Sequence, residues 1–161
     1  MDNGNKGFSL IELLIVVAII LIIAAIAVPN FLRSRIAANQ ASAVASLRTF
    51  DSAEIIYSAT YGAGYTLNIG VLAPLATTAT NPTSTAAGLI DSVLASGSKS
   101  GYSFTYSPGI SDSTGRINTY AITAVPINSN TGTNYYYTDQ SGVIRMNSTT
   151  TAASTDSPLA G

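Results

Sequence analysis

The 161-residue sequence contains neither cysteine nor histidine. Without cysteine the chain has no disulfide bond, no thiolate metal ligand and no catalytic thiol. Without histidine as well, the usual zinc sites and both Ser-His and Cys-His catalysis are excluded. No cofactor or metal ion is therefore expected.

Charged side chains are also scarce. They make up 9% of the residues, against roughly 25% in average soluble proteins. The formal net charge is −1, so the chain has no basic field that would hold a nucleic acid backbone. Ser, Thr, Asn and Gly replace charge on the expected surface, and no nucleic acid partner is indicated.

The sequence does contain one long apolar run, from Phe8 to Val28. As a helix it would span roughly 31 Å, which is enough to cross a bilayer. Ala25-Ile26-Ala27 resembles the small-x-small site of a secretory signal peptide, but the run is longer than the roughly 7 to 15 apolar residues of such peptides. The length favours a membrane anchor.

A single carboxylate, Glu12, lies near the start of this run. An ionisable residue at the centre of a membrane helix costs about 2.5 to 3.5 kcal/mol, and less near an end. In the first turns an acid also interacts favourably with the helix dipole and can reach the lipid headgroups. Helix-end stabilisation and a specific functional role are both open at this point.

The helical pattern resumes after Pro29, which predicts one long helix from about Ser9 to about Ala59 that ends before Gly62 and Gly64. Pro29 cannot donate to the Ala25 carbonyl, so a kink or loosened turn is expected there. The second half of the helix is amphipathic. Its apolar positions are Ile36, Ala43, Val44, Leu47 and Phe50, and its polar positions are Arg33, Asn39, Gln40, Arg48 and Asp51.

Beyond Gly64 the composition favours an irregular connection, a short helix in GLIDSVLASG and then three strand-like runs. The runs are GYSFTYSP, NTYAITAVPI and NYYYTDQSGVIRM, rich in Tyr, Val, Ile and Thr. Consecutive short strands favour an antiparallel meander, which the amphipathic half of the helix would cover. The predicted fold class is α+β, with a tail of low hydrophobicity, NSTTTAASTDSPLAG, that is expected to be flexible.

The segment KGFSLIELLIVVAII resembles the N-terminal signature of type IV pilins and type II secretion pseudopilins. The resemblance covers roughly the first 30 residues. It implies that a prepilin peptidase cuts between Gly7 and Phe8 and N-methylates Phe8, and that Glu12 stands at the family's essential acidic position. It also implies a helix break at Pro29, which matches the proline near which the helix can lose regular structure in assembled filaments.

The chain departs from the family pattern at two points. Many members close their C-terminal loop with a disulfide, which this chain cannot form, so the end after Tyr137 must be held by strand pairing or by neighbouring copies. A glycine common in the first half of the helix is replaced by Leu21. This replacement leaves the extent of any melted segment open.

The resemblance and the composition together divide the chain into five expected segments. They are a leader peptide (1–7), a transmembrane and filament-core helix (8–28), the amphipathic half of the helix (29–61), a connecting loop with a short helix (62–101), and an antiparallel sheet with a flexible tail (102–161).

The resemblance further implies a major pilin, a structural subunit and not an enzyme, which polymerises into a type IV pilus that serves adhesion or motility. Its partners would be copies of itself, the prepilin peptidase, the inner-membrane assembly machinery and, before assembly, membrane lipid. In this interpretation Glu12 pairs with the Phe8 amine of a neighbouring subunit. The precursor would lie in the inner membrane and the assembled protein in an extracellular filament.

Two rival functions remain open from the sequence. A pseudopilin of a type II secretion system would share every N-terminal feature and form a short periplasmic fibre. A secreted binding module would use its first 27 residues only as a signal peptide and would not polymerise.

Three further patterns favour ordinary structural roles. Asp139 suggests a calcium ligand, but a turn before Gly142 is the better interpretation of one isolated acid. Asn147-Ser148-Thr149 matches an N-glycosylation sequon without establishing a sugar. The aromatic residues of the helix and its end would pack core and interfaces rather than conduct charge; they are Phe8, Phe31, Phe50, Tyr57, Tyr61 and Tyr65.

Overall fold

One helix accounts for the first third of the chain and is followed by an antiparallel sheet, as the predicted α+β class requires. A computed structural model describes residues 7–76 and 81–159, so most of the leader, four residues of the connection and the last two residues lie outside it. The chain divides into two compact units, Met1–Arg35 and Ile36–Gly161. Its elements are α1 (Leu10–Tyr61), a 3₁₀ turn (Ile69–Leu72), α2 (Ser92–Ala95), β1 (Ser98–Lys99), β2 (Tyr102–Pro108), β3 (Tyr120–Pro126), β4 (Tyr135–Asp139) and β5 (Arg145–Asn147).

Helix α1 agrees with the predicted bounds to within two residues at each end. It ends at Tyr61, and the next residue, Gly62, has a φ of +66°, the left-handed conformation typical of the residue after a helix. The Gly62 N–H donates to the Ser58 carbonyl at 3.0 Å and so satisfies one of the last free acceptors of the helix. The stop signal in the sequence is therefore a glycine that the backbone geometry requires.

The sheet is a meander in which β1 to β5 pair in chain order, each antiparallel to the next, which confirms the predicted arrangement. The prediction of three strands was incomplete, because the third run, NYYYTDQSGVIRM, contributes to two strands and because the short strand β1 was not predicted. A turn separates β4 from β5: Asp139 accepts a hydrogen bond from the Ser141 N–H at 2.9 Å, and Gly142 has a φ of +69°. This geometry is the turn that the sequence favours at Asp139.

The core lies between the second half of α1 and one face of the sheet. Phe50 and Phe104 make the central ring contact, with centroids 5.7 Å apart. Alternate residues of β2 and β3 point toward the helix, as period-two patterning requires. The buried residues of this core from the helix are Ala43, Leu47, Phe50, Ala53 and Tyr57, and from the sheet Tyr102, Phe104, Tyr120, Ile122, Ala124 and Tyr136.

The tail differs from the sequence-based expectation over residues 147–159, because it folds back on the sheet. The Met146 N–H donates to the Ser157 carbonyl at 3.1 Å, and the Leu159 N–H donates to the Ile144 carbonyl at 2.8 Å. Ala152 is buried. These backbone bonds hold the end after Tyr137 through pairing with β5 and its neighbours, although the sequence there is rich in Ser and Thr.

Candidate assembly site at the N-terminal helix

The proposed cleavage junction lies directly before α1 begins. Gly7, Phe8 and Ser9 are not helical, and all three are exposed. The Phe8 side chain is 78% exposed. Peptide bonds in an exposed, non-helical stretch are accessible to a protease, so this geometry suits the junction at Gly7-Phe8.

Glu12 stabilises the first turn of α1 in the uncleaved chain. Its Oε2 accepts a hydrogen bond from the Ser9 N–H at 2.8 Å. That N–H is one of the donors that a helix start leaves without an intrahelical acceptor, and a carboxylate three residues on is the reciprocal half of a capping box. The helix-end role of Glu12 therefore has a definite partner, the Ser9 N–H.

Within the part of the chain that the structure describes, packing does not require glycine at position 7. A Cβ atom added there would meet no atom within 4 Å, and its backbone is not left-handed.

The first half of α1 exposes an apolar surface. It is long and apolar enough to cross a membrane by length and composition, and Glu12 is its only charged residue up to Pro29. Monomeric soluble proteins seldom expose such a surface, which marks a membrane or protein contact. Its exposed large side chains are Leu10, Ile11, Leu13, Leu14, Ile15, Val16, Val17, Ile19, Ile20, Leu21, Ile22, Ile23, Ile26 and Val28.

At Pro29 the helix continues without interruption, so the predicted break is not seen in this single protomer. Two side-chain hydrogen bonds lie close to the proline. The Asn30 Nδ2 donates to the Ile26 carbonyl at 3.1 Å, and the Ser34 hydroxyl donates to the Asn30 carbonyl at 3.0 Å. A loosened turn in an assembled filament stays a prediction.

The structure thus brings Gly7, Phe8 and Glu12 together at one end of α1, and Pro29 lies farther along the same helix. Within residues 7–76 and 81–159, no group of three acidic, histidine or cysteine side chains could hold a metal ion. This end of α1 therefore offers an exposed, non-helical Gly7-Phe8 peptide bond, one carboxylate and an apolar helix.

Two buried acids on α1 were missed or misplaced by the sequence analysis. Asp51, expected on the polar face, is only 7% exposed, and Glu54 is completely buried. A signal for Glu54 does exist: buried residues 43, 47, 50, 54 and 57 recur at alternating spacings of four and three. Glu54 was not predicted as a core residue because charged side chains are normally assigned to the surface.

Comparison with known proteins connects this N-terminus to a defined class. The family described as "Prokaryotic N-terminal methylation motif" matches residues 2–28. Residues 2–28 therefore match an N-terminal methylation motif, which agrees with the resemblance of KGFSLIELLIVVAII to type IV pilins. No solved structure matches the chain significantly.

Two curated relatives that the chain resembles are named as major components of type IV pili. The chain is 50% identical over 50 residues to the type IV major pilin protein PilA of Myxococcus xanthus, an alignment that covers 31% of this chain and 23% of that protein. It is 53% identical over 45 residues to the type IV wide pilus major component PilA4 of Thermus thermophilus, covering 28% and 34% of the two chains. The chain thus spans about a quarter to a third of the relatives it matches.

Proposed function

We propose that this protein is the major subunit of a type IV pilus. The observation that carries the proposal is the exposed apolar first half of α1, with Glu12 as its one charge and the accessible Gly7-Phe8 junction directly before it. The names of both curated relatives, each a major pilus component, support the pilus over the secretion pseudopilin and the secreted binding module. The role is structural and not enzymatic.

Maturation begins with removal of the leader, residues 1–7. A prepilin peptidase cuts after Gly7, and Phe8 becomes the new, N-methylated first residue. The cut creates a cationic amine at the end of an apolar helix, where the uncleaved chain has only a neutral amide. Cleavage thereby converts a membrane-inserted precursor into a subunit whose helix end carries two opposite charges, the Phe8 amine and the Glu12 carboxylate.

Glu12 then exchanges its partner during assembly. In the precursor its carboxylate accepts from the Ser9 N–H of the same chain. In the filament it pairs with the Phe8 amine of a neighbouring copy, so that both charges enter the apolar core neutralised. An unpaired charge buried among apolar helices is strongly destabilising, which makes this pairing a condition for incorporation.

The remaining segments follow from this role. Residues 8–28 cross the inner membrane before assembly and form the filament core afterwards, in contact first with lipid and the assembly machinery and then with other copies. Residues 29–61, the connection 62–101 and the sheet with its tail, 102–161, form the exterior. Pro29 marks the place where the helix loosens in the filament. The pilus would serve adhesion or motility.

Substitution of Glu12 tests the proposal. Glu12→Leu should insert in the membrane and be cut normally, because the span becomes more apolar and Gly7 is intact, but it should enter few filaments. Glu12→Gln keeps the shape without the charge and should assemble almost as poorly. The measurement is the yield of sheared filaments relative to processed subunit in the membrane.

Ile11→Leu is the matched control, since it changes the neighbouring residue without altering charge, and it should assemble like wild type. Normal filament yield from both Glu12 variants would contradict the proposed pairing and leave Glu12 as a helix-end residue only.

A further inference from the structure

Asp51 and Glu54 lie on the side of α1 that faces the sheet. Residues three apart share one helix face, and both side chains are removed from solvent. Asp51 Oδ1 accepts from the Tyr120 hydroxyl of β3 at 2.9 Å, and its Oδ2 accepts from the Thr138 hydroxyl of β4 at 2.9 Å. Glu54 Oε2 accepts a hydrogen bond from the N–H of Thr66, in the segment that follows the helix, at 3.0 Å. The pair therefore joins three parts of the domain.

No basic side chain compensates these acids in the part of the chain that the structure describes, where the recorded ion pair is Lys99 with Asp91 on the surface. The groups that act on the pair electrostatically are acids and phenols. Those acting on Asp51 are Glu54 and Asp139, and the phenols that feel the charge of one acid or both are Tyr57, Tyr106 and Tyr120. Ionising both carboxyls would place two like charges side by side beneath the sheet.

The hydrogen-bond contacts around Glu54 favour the neutral form of its carboxyl group. Three contacts form a row: Glu54 Oε1 to the Thr66 hydroxyl at 2.5 Å, that hydroxyl to the Tyr106 hydroxyl at 3.2 Å, and the Tyr106 hydroxyl to the Thr66 carbonyl at 2.9 Å. A protonated Glu54 supplies a proton for every contact in the row. An ionised Glu54 takes the Thr66 hydroxyl proton, which leaves the Thr66–Tyr106 contact without one.

Asp51 receives hydrogen bonds from two neutral hydroxyls, since the Thr138 proton is shared between its two carboxylate oxygens. Neutral donors are weaker than charged partners at stabilising a buried carboxylate. Burial is the main reason that the pKa of Asp51 and the pKa of Glu54 are both raised above their usual values.

We propose that Asp51 and Glu54 form a pH-sensitive clamp, in which neutral carboxyls hold α1, the segment after it and the sheet together, and ionisation loosens them. The inference is independent of the role in a pilus. The unfolded pKa values are near 3.8 for Asp51 and 4.5 for Glu54, and the folded pKa values lie above them. The stabilisation is therefore complete below the unfolded values. It is lost as the pH rises through the folded values.

The test is the thermal unfolding of the full chain in a neutral detergent, followed by the near-ultraviolet circular dichroism of its tyrosines. For wild type, Tm should fall by about 5 °C between about pH 4 and about pH 8. The double variant Asp51→Asn/Glu54→Gln keeps the shape of both side chains without their ionisation and should lose most of that fall.

Asp112→Asn is the matched control. Asp112 is exposed, and hydrogen bonds from Thr114, Asn118 and the Arg116 N–H lower the pKa of its carboxyl, so its contribution is lost as the pH falls and not as it rises. This variant should keep the wild-type fall in Tm. A fall that persists in the double variant, or a wild-type Tm that does not decrease with pH, would overturn the clamp.

A second measurement covers the case in which the double variant fails to fold. Carboxyl-carbon NMR of the wild-type full chain should show two of the eight acidic side chains titrating above their usual pKa, with midpoints that belong to the coupled pair. If every resolved carboxyl titrates at or below its usual value, the proposal is wrong.

Discussion

At the scale of single residues, two glycines after α1 carry different constraints. Gly62 has a φ of +66° and open space where a Cβ would be. Gly64 has a φ of +80°, and an added Cβ would lie 2.2 Å from the Ile117 carbonyl oxygen. At this point the Tyr65 N–H donates to the Ile117 carbonyl at 2.7 Å, so the close approach joins the connection to the segment before β3.

Alanine at each position separates conformational strain from steric clash. Gly62→Ala should destabilise the domain by about 1 kcal/mol, because only the left-handed conformation is penalised. Gly64→Ala should cost about 3 kcal/mol or more, since the backbone must also move. Thermal unfolding of the full chain in detergent measures both, and equal losses of Tm would contradict the assigned contact with Ile117.

The residue scale is also where sequence reasoning reached its limit. Gly7, Phe8 and Glu12 could be singled out because a local motif carries them. Asp51 and Glu54 could not, because an acid is normally assigned to solvent, and only the fold supplies the hydroxyls of Tyr120, Thr138 and Thr66 that let it be buried. A local pattern identifies a junction, whereas a buried polar group depends on partners that are distant in the sequence.

At the scale of elements, α1 combines two environments in one helix. The large side chains up to Val28 are exposed and, except for Glu12, apolar, whereas the later turns bury one face against the sheet. The period of the apolar residues and the stop at Gly62 made its bounds predictable. The turn at Asp139 was also predictable from its local residues. The docking of the tail was not, because it depends on long-range pairing with β5.

Removal of residues 1–35 tests the division within α1. We expect residues 36–161 to form a soluble, folded monomer, because the long apolar surface is gone while the core around Phe50 and Phe104 is retained. Sedimentation and far-ultraviolet circular dichroism without detergent measure this.

The matched control is the chain that lacks only residues 1–7, which should need detergent to stay dispersed. Aggregation of the shorter chain, or loss of its strand signal, would show that the first half of α1 is required for folding and that the division is wrong.

At the scale of the whole molecule, the scarcity of charge fits a protein that packs against many copies of itself. A net charge of −1 limits repulsion between close neighbours. Cysteine is absent, so cohesion within the domain depends on the helix–sheet core and on backbone pairing of the tail. Assembly would add the burial of the apolar half of α1, which a single copy leaves exposed.

The central claim is that this chain is a processed pilin, and the mature N-terminus tests it most directly. Mass spectrometry of the protein isolated from the native cell surface should find a chain that starts at Phe8 and carries one added methyl group. A first residue at Val28 would instead indicate a cleaved signal peptide, and an intact Met1 would indicate no processing; either result would contradict the account.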